Sequence, residues 1–197
     1  MYLIFCICQW GCYNVINMDI FSHGLWVGAA YKAINKKLKK SFNVWLAFFW
    51  GVIPDVASFG VLFVFLAYNL IFAGMSFSDF PRPEQMEPIQ SDTIFIFRLV
   101  NTLYNITHSV IIFAAIFGLM FLILKRPLWE MIGWLLHILI DIPTHSYQFY
   151  PTPFLWPVSS WKFNGFAWDT SWFLIVNYTA IIIAYYFLFR KKKKQQQ

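Results

Sequence analysis

Charge is what this sequence has least of. Only 12% of its residues are Asp, Glu, Lys or Arg, against about 25% in an ordinary soluble domain. Hydrophobic residues make up 59% and aromatics 22%. That balance excludes a soluble globular protein and points to an integral membrane protein. Strand-like alternation of polar and apolar residues is also missing, so the apolar runs read as helices. Cysteine is scarce and badly placed for chemistry. Cys6, Cys8 and Cys12 crowd one end without a second cluster, which argues against a zinc site or a disulfide framework built from them. The first 17 residues lack the basic region and small-residue cleavage site of a signal peptide. With Met18 as a second possible start, 1–17 read as a leader or upstream extension, poorly ordered.

The net charge of +6 is not a nucleic-acid signature, and no nucleic-acid partner is expected. The basic residues close apolar runs, where they act as topology signals. Lys36, Lys37, Lys39 and Lys40 end a short N-terminal helical segment. Lys125 and Arg126 end a charge-free stretch that starts at Leu99. Arg190 and the lysines after it end a span from Thr170. Two further runs, Val44–Phe72 and Leu128–Gln148, are of spanning length, about 20 residues. The first is expected to be tilted or broken at Pro54. The expected architecture is an all-α, polytopic transmembrane helix bundle of about four spans plus that N-terminal segment. One domain covers 18–190, and 191–197 form a basic, polar tail.

The positive-inside rule puts the basic ends, and the C-terminus, in the cytoplasm. The acidic loop from Gly74 to Asp92 and the tryptophan-rich loop from Tyr150 to Asp169 then face outside.

Against this apolar background, four histidines stand out. The densest constellation is His137-Ile-Leu-Ile-Asp141-Ile-Pro-Thr-His145. Residues four apart lie one above the other on a helix face. Ionisable residues inside a membrane are expensive, about 2.5–3.5 kcal/mol for an aspartate at mid-span, and mark functional sites. Imidazole and carboxylate are ligands for zinc and similar divalent ions. Three residues over two turns span about 12 Å, which is long for one ion, and Pro143 bends or ends the helix. Two arrangements remain open. In one, His137 and Asp141 hold an ion while His145 positions substrate or a proton. In the other, Asp141 lies between two ions about 3.5–4 Å apart.

Asp55, after Pro54, adds a second intramembrane carboxylate. His108 and His23 complete the set, and the assumed topology brings all of these residues to the outer half of the membrane. Thr107-His108-Ser109 recurs as Thr144-His145-Ser146. In each, a hydroxyl beside the histidine is expected to orient its second nitrogen or to contact substrate.

These same segments carry a family likeness. In order they are Met18-Asp-Ile-Phe-Ser-His23-Gly-Leu-Trp26, Gly51-Val-Ile-Pro-Asp55-Val-Ala-Ser-Phe-Gly60, Thr107-His-Ser109, His137-Ile-Leu-Ile-Asp-Ile-Pro-Thr-His145, Phe154-Leu-Trp-Pro157 and Phe163-Asn-Gly165. Together they resemble the YdjM-type family of membrane-bound metal-dependent hydrolases, some members of which are described as LexA-binding inner-membrane proteins. The likeness covers Met18 to about Trp172. It implies a bacterial inner-membrane protein with a divalent metal, zinc above all, held by His23, Asp55, His108, His137 and Asp141. Asp55 or Asp141 would serve as the catalytic carboxylate. The family is distantly similar to zinc-dependent phospholipase C and to fungal single-strand nucleases, which implies a phosphoester or lipid-headgroup substrate. The chain departs from the pattern in its leader and in lacking an acidic residue near Ser160.

Two other functions compete with hydrolysis. Intramembrane His and Asp chains also mark cation or proton pathways, although no inverted repeat is visible. A membrane adaptor would hold a structural metal in a closed four-ligand site, whereas an enzyme keeps a position open.

Overall fold

The computed structural model describes residues 19–74, 76, 95–147, 150–168 and 170–190. The leader at 1–17, most of the acidic loop and the tail at 191–197 lie outside them. Among the described residues the fold is all-helical: α1 (Ile20–Leu38), α2 (Val44–Phe72), α3 (Phe95–Thr107), α4 (Val110–Leu124), α5 (Ile132–Thr144) and α6 (Ser171–Phe189). A single 3-10 turn, Trp129–Met131, leads into α5.

Local chemistry sets the ends. Asp19 caps α1 by accepting from the Ser22 amide, and Lys39 closes that helix in the left-handed region at φ 50°. Asn43 caps α2 through the Leu46 amide. Side-chain oxygens at these positions satisfy amides that have no partner within the helix.

Among the described residues, two helices, α2 and α6, are long and apolar enough to cross a bilayer, or three if the bent pair α3–α4 is one span, against the four spans expected. These mark a membrane protein. The run from Leu128 to Gln148 does not yield a spanning helix. The 3-10 turn occupies its start and α5 stops at Thr144, which leaves 13 helical residues, about 20 Å against a hydrocarbon core of about 30 Å. The N-terminal segment is longer than expected, at 19 residues. Pro54 does not break α2, which runs 29 residues through it. Neighbouring helices in a membrane bundle tolerate an interior proline by satisfying the backbone groups it frees.

The Leu99–Leu124 run differs most from expectation. Its helix begins earlier, at Phe95, and then breaks at His108, with α3 and α4 meeting at 64°. His108 therefore sits at a joint and not near the start of a span. Ser109 makes the joint affordable. Its side chain accepts from the Ile111 and Ile112 amides at 3.1 and 3.2 Å and donates to the Trp156 carbonyl. The freed Thr107 carbonyl accepts from the Trp134 indole at 2.6 Å. Irregular backbone at membrane depth survives where protein buries and satisfies it in this way.

Three helices make the frame of the site. α1 and α2 are antiparallel, and α5 lies parallel to α2 with Gly133 pressed on the Ala47 carbonyl. A methyl group there would sit 3.0 Å from Val27 and closer still to that carbonyl. Small residues let membrane helices approach to backbone contact. α6 runs parallel to α1: Asn177 accepts from the Trp26 indole at 2.8 Å, and Tyr185 donates to the Leu25 carbonyl at 3.0 Å. The outer face of α6 is a wall of exposed Ile175, Ile182, Tyr186 and Phe187, as a lipid-facing helix requires.

The basic helix ends gather at one end of the bundle. Lys32 lies over the Phe189 ring at 3.1 Å. Tyr31 donates to the Trp129 carbonyl, and the Asn43 amide donates to Glu130 at 3.0 Å.

Glycine substitutions test this packing. Gly133→Ala should destabilise the protein by about 1–3 kcal/mol, the usual cost of forcing extra volume into a packed contact. Gly118→Ala, where an added methyl meets open space, should stabilise by about 0.5–1 kcal/mol as in any helix interior. Thermal unfolding in detergent reads both. Equal melting temperatures would contradict the close approach of α5 to α2.

Candidate metal centre

Six side chains from five places in the chain meet in the middle of this frame. His23 comes from the first turn of α1, Asp55 from α2, His108 from the α3–α4 joint, His137 and Asp141 from α5, and His145 from just past its end. His108, His137 and Asp141 are fully buried, and the other three are at most 9% exposed.

Asp141 is the hub. Its Oδ1 lies 2.8 Å from His23 Nε2 and 3.5 Å from His145 Nε2. Its Oδ2 lies 3.1 Å from His137 Nε2 and 3.3 Å from His108 Nε2. Asp55 faces it from α2, with Oδ1 at 3.4 Å from His108 Nε2 and 3.7 Å from His137 Nε2. Its Oδ2 is 3.4 Å from His23 Nδ1.

The outer nitrogens decide what the inner ones present. His137 Nδ1 lies 2.7 Å from the Gly51 carbonyl, and His145 Nδ1 lies 2.8 Å from the Tyr150 carbonyl. His108 Nδ1 lies 3.2 Å from the Tyr104 carbonyl. A carbonyl only accepts, so each Nδ1 carries the hydrogen and donates it. In the neutral ring the other nitrogen is then a bare lone pair. Three Nε2 lone pairs consequently point inward at two carboxylates. His108 Nε2 and His137 Nε2 are only 3.1 Å apart. Only His23, whose Nε2 lies 2.8 Å from Asp141 Oδ1, is free to carry its hydrogen on the inward nitrogen and donate it. Lone pairs and anions packed this tightly repel unless a cation joins them. A backbone carbonyl holding the far nitrogen of a histidine is the usual support of a metal ligand.

Two overlapping groups of ligand atoms come within 4.8 Å of one another: His23, His137 and Asp141, and Asp55, His108 and His137. The cluster could hold a metal ion. His137 belongs to both groups but has one inward nitrogen, so it serves one ion at a time.

The spacing problem of the His-x3-Asp-x3-His row is resolved by the chain itself. His145 is not helical. It adopts an extended conformation, φ −109° and ψ 144°, as the cap of α5, which lets its ring turn back towards Asp141.

The flanking hydroxyls divide. Thr107 Oγ1 lies 2.9 Å from His108 Nδ1 and donates to the Leu103 carbonyl, so it does sit against its histidine. Thr144 donates to the Ile140 carbonyl at 2.8 Å, and His145 is held by Tyr150 instead. Ser109 is buried as the cap of α4 and does not line the cavity, and its hydroxyl is spent on backbone partners.

Sequence reasoning missed Tyr104, Tyr150 and Gly51. Tyr104 precedes His108 by one turn, a spacing that could have flagged it. Its ring stacks on His108 with centroids 3.9 Å apart, and its hydroxyl donates to the Tyr150 carbonyl at 2.8 Å. Gly51 and Tyr150 act through carbonyls, which no residue type reveals. The tryptophan-rich loop is also more than an interfacial belt. Amides of Gly165, Phe166 and Trp168 donate to the carbonyls of His145, Pro143 and Thr144, which finishes the end of α5 and fixes His145.

A cavity of about 510 Å³ adjoins the cluster, and His23, Asp55 and His145 lie in its wall. Comparison with protein-family models, curated proteins and solved structures returns no match to this chain.

His137 is common to both candidate groups, and His145 lies outside them. Purified His137→Ala should lose bound divalent metal to background, and Asp141→Asn should lose at least tenfold. His145→Ala should keep nearly wild-type metal content. Elemental analysis of the three variants checks this. Full occupancy in Asp141→Asn would remove that carboxylate from the ligand set.

Proposed function

We propose that this chain is an integral membrane metal-dependent hydrolase, acting on a phosphoester or lipid headgroup. The observation that carries the reading is the convergence of three inward imidazole lone pairs on two buried carboxylates beside a cavity. A closed structural site has no use for such a cavity, whereas a catalytic site needs a face open to substrate. Zinc suits a mixed set of imidazole and carboxylate ligands. The likeness to YdjM-type hydrolases, carried by short motifs in order, points the same way.

His23, Asp55, His108, His137 and Asp141 would hold the ion. When bound, a divalent ion supplies Lewis acidity and lowers the pKa of a water that reaches it. Asp55 lies in the cavity wall and is the carboxylate nearer to substrate. Asp141, fully enclosed, orients the surrounding rings. His145 lines the cavity without belonging to either ligand group, so its role is to contact and position the substrate. Thr144 lies beside it in the same wall.

On this reading, chelation with EDTA abolishes hydrolysis of bis(4-nitrophenyl) phosphate by the purified protein, and zinc restores it. His145→Ala should retain metal and lose about 10²-fold in turnover, the scale of a misplaced reacting group. Metal-loaded wild-type protein that hydrolyses no phosphoester or lipid would end the hydrolase reading.

We further propose residence in a bacterial inner membrane, with the basic helix ends and the C-terminus cytoplasmic. Ser109 is buried, so a reporter belongs elsewhere: Val158 is 80% exposed and Arg126 is exposed at the basic end. With Cys6, Cys8 and Cys12 replaced, cysteine at Val158 should react with an impermeant thiol reagent from outside. Cysteine at Arg126 should react only after the membrane is opened. The reverse pattern inverts the topology and favours a cytoplasmic substrate.

A further inference from the structure

The wall of the cavity beside the metal centre is mostly apolar. His23, Asp55, Thr144 and His145 line it at the cluster, together with Phe59, Trp168 and Phe173. Along α1 and α5, which run antiparallel, the wall continues away from His145 through Trp26 and its partner Asn177 to Ala30 and Leu136. On α1 the lining residues from His23 to Ala30 recur at helical spacing, so they form one stripe about 10 Å long. On α5 the lining residues run the opposite way, from Leu136 up to Thr144.

The slot is open along its side. α6 packs on α1, while no substantial contact joins α6 to α5. Leu139, at the edge of this gap, is 50% exposed. In a bilayer this gap faces hydrocarbon. A purely polar substrate would leave the apolar end of the slot to water or to a stray lipid chain, at the cost of unpaired apolar surface.

Resting on the hydrolase reading above, we propose that the substrate is an amphiphile: its phosphate head lies at the metal centre and one alkyl chain lies in the slot between α1, α5 and α6. The substrate enters sideways from the membrane, chain and head together. Chain burial then adds binding that a water-soluble phosphoester with the same head lacks.

The test uses n-alkylphosphonates, methyl to hexyl, which keep a phosphate-like head and cannot be hydrolysed at the carbon–phosphorus bond. Zinc-loaded full-length protein in nanodiscs is titrated calorimetrically with each. Affinity should rise about fourfold per methylene, the ratio set by about 0.8 kcal/mol per buried CH₂. Leu136→Trp and Ala30→Phe fill the apolar end without touching the metal ligands. In each, the rise should stop at a shorter chain, while zinc content and methylphosphonate affinity stay at wild-type values. Two fillers on different helices guard against one variant misfolding. Affinity that is flat with chain length in the wild type overturns the proposal. So does a rise that both fillers leave intact, since that is partition into the bilayer. Either result, with methylphosphonate and zinc still bound, leaves the metal reading standing. Loss of zinc and methylphosphonate binding in the wild type overturns both.

Discussion

Two buried carboxylates facing each other are the constraint on which this fold depends. Asp55 and Asp141 stand on parallel helices, and nothing but imidazole separates them. Asp141 is fully buried and Asp55 is 8% exposed, and isolated buried charge is too costly to persist. The surroundings are arranged to meet that demand. Gly51 has no side chain, so Val27 of α1 can pack where a methyl group would stand, while the Gly51 carbonyl accepts from His137. Gly133 brings α5 close enough for that reach. The α3–α4 joint turns His108 inward, and the loop after Tyr150 finishes α5 so that His145 can fold back. The last two are local departures from a regular helix, and each is paired with partners that satisfy the backbone it exposes.

The cluster is held in place by residues that are not part of it. Ser109 and Trp134 hold the joint, and Tyr104 ties His108 to Tyr150 and thereby to His145. A network of this kind keeps ligand nitrogens aimed before an ion arrives. The cost of arranging them is then met in folding and not in binding, which is the general advantage of preorganisation.

How much of this was legible beforehand follows from the kind of signal each feature leaves. His137, Asp141 and His145 were conspicuous because charge within apolar runs is rare, and Asp55, His108 and His23 followed by the same logic. The helical class was legible from composition and periodicity. The break at His108 was not, since 107–109 contain neither glycine nor proline. Its cause is long-range, in carbonyls supplied by the Phe154–Trp156 segment. Pro54 misled in the opposite sense: it has the look of a breaker, but packed neighbours carry the helix through it. The shortness of α5 was hidden too, because its apolar composition continues into a 3-10 turn at one end and a loop at the other.

The tryptophan-rich loop that finishes α5 comes late in the chain, and this bears on biosynthesis. At about 5–20 residues per second, Asp55 enters the membrane several seconds before Asp141 and its supporting loop have been made. During that interval the α1–α2 hairpin carries His23 beside Asp55 with no other ligand. That pair can share a proton and so travel as a neutral unit. The nascent hairpin can thus stay neutral on its own, and the crowding of two carboxylates arises only when α5 docks.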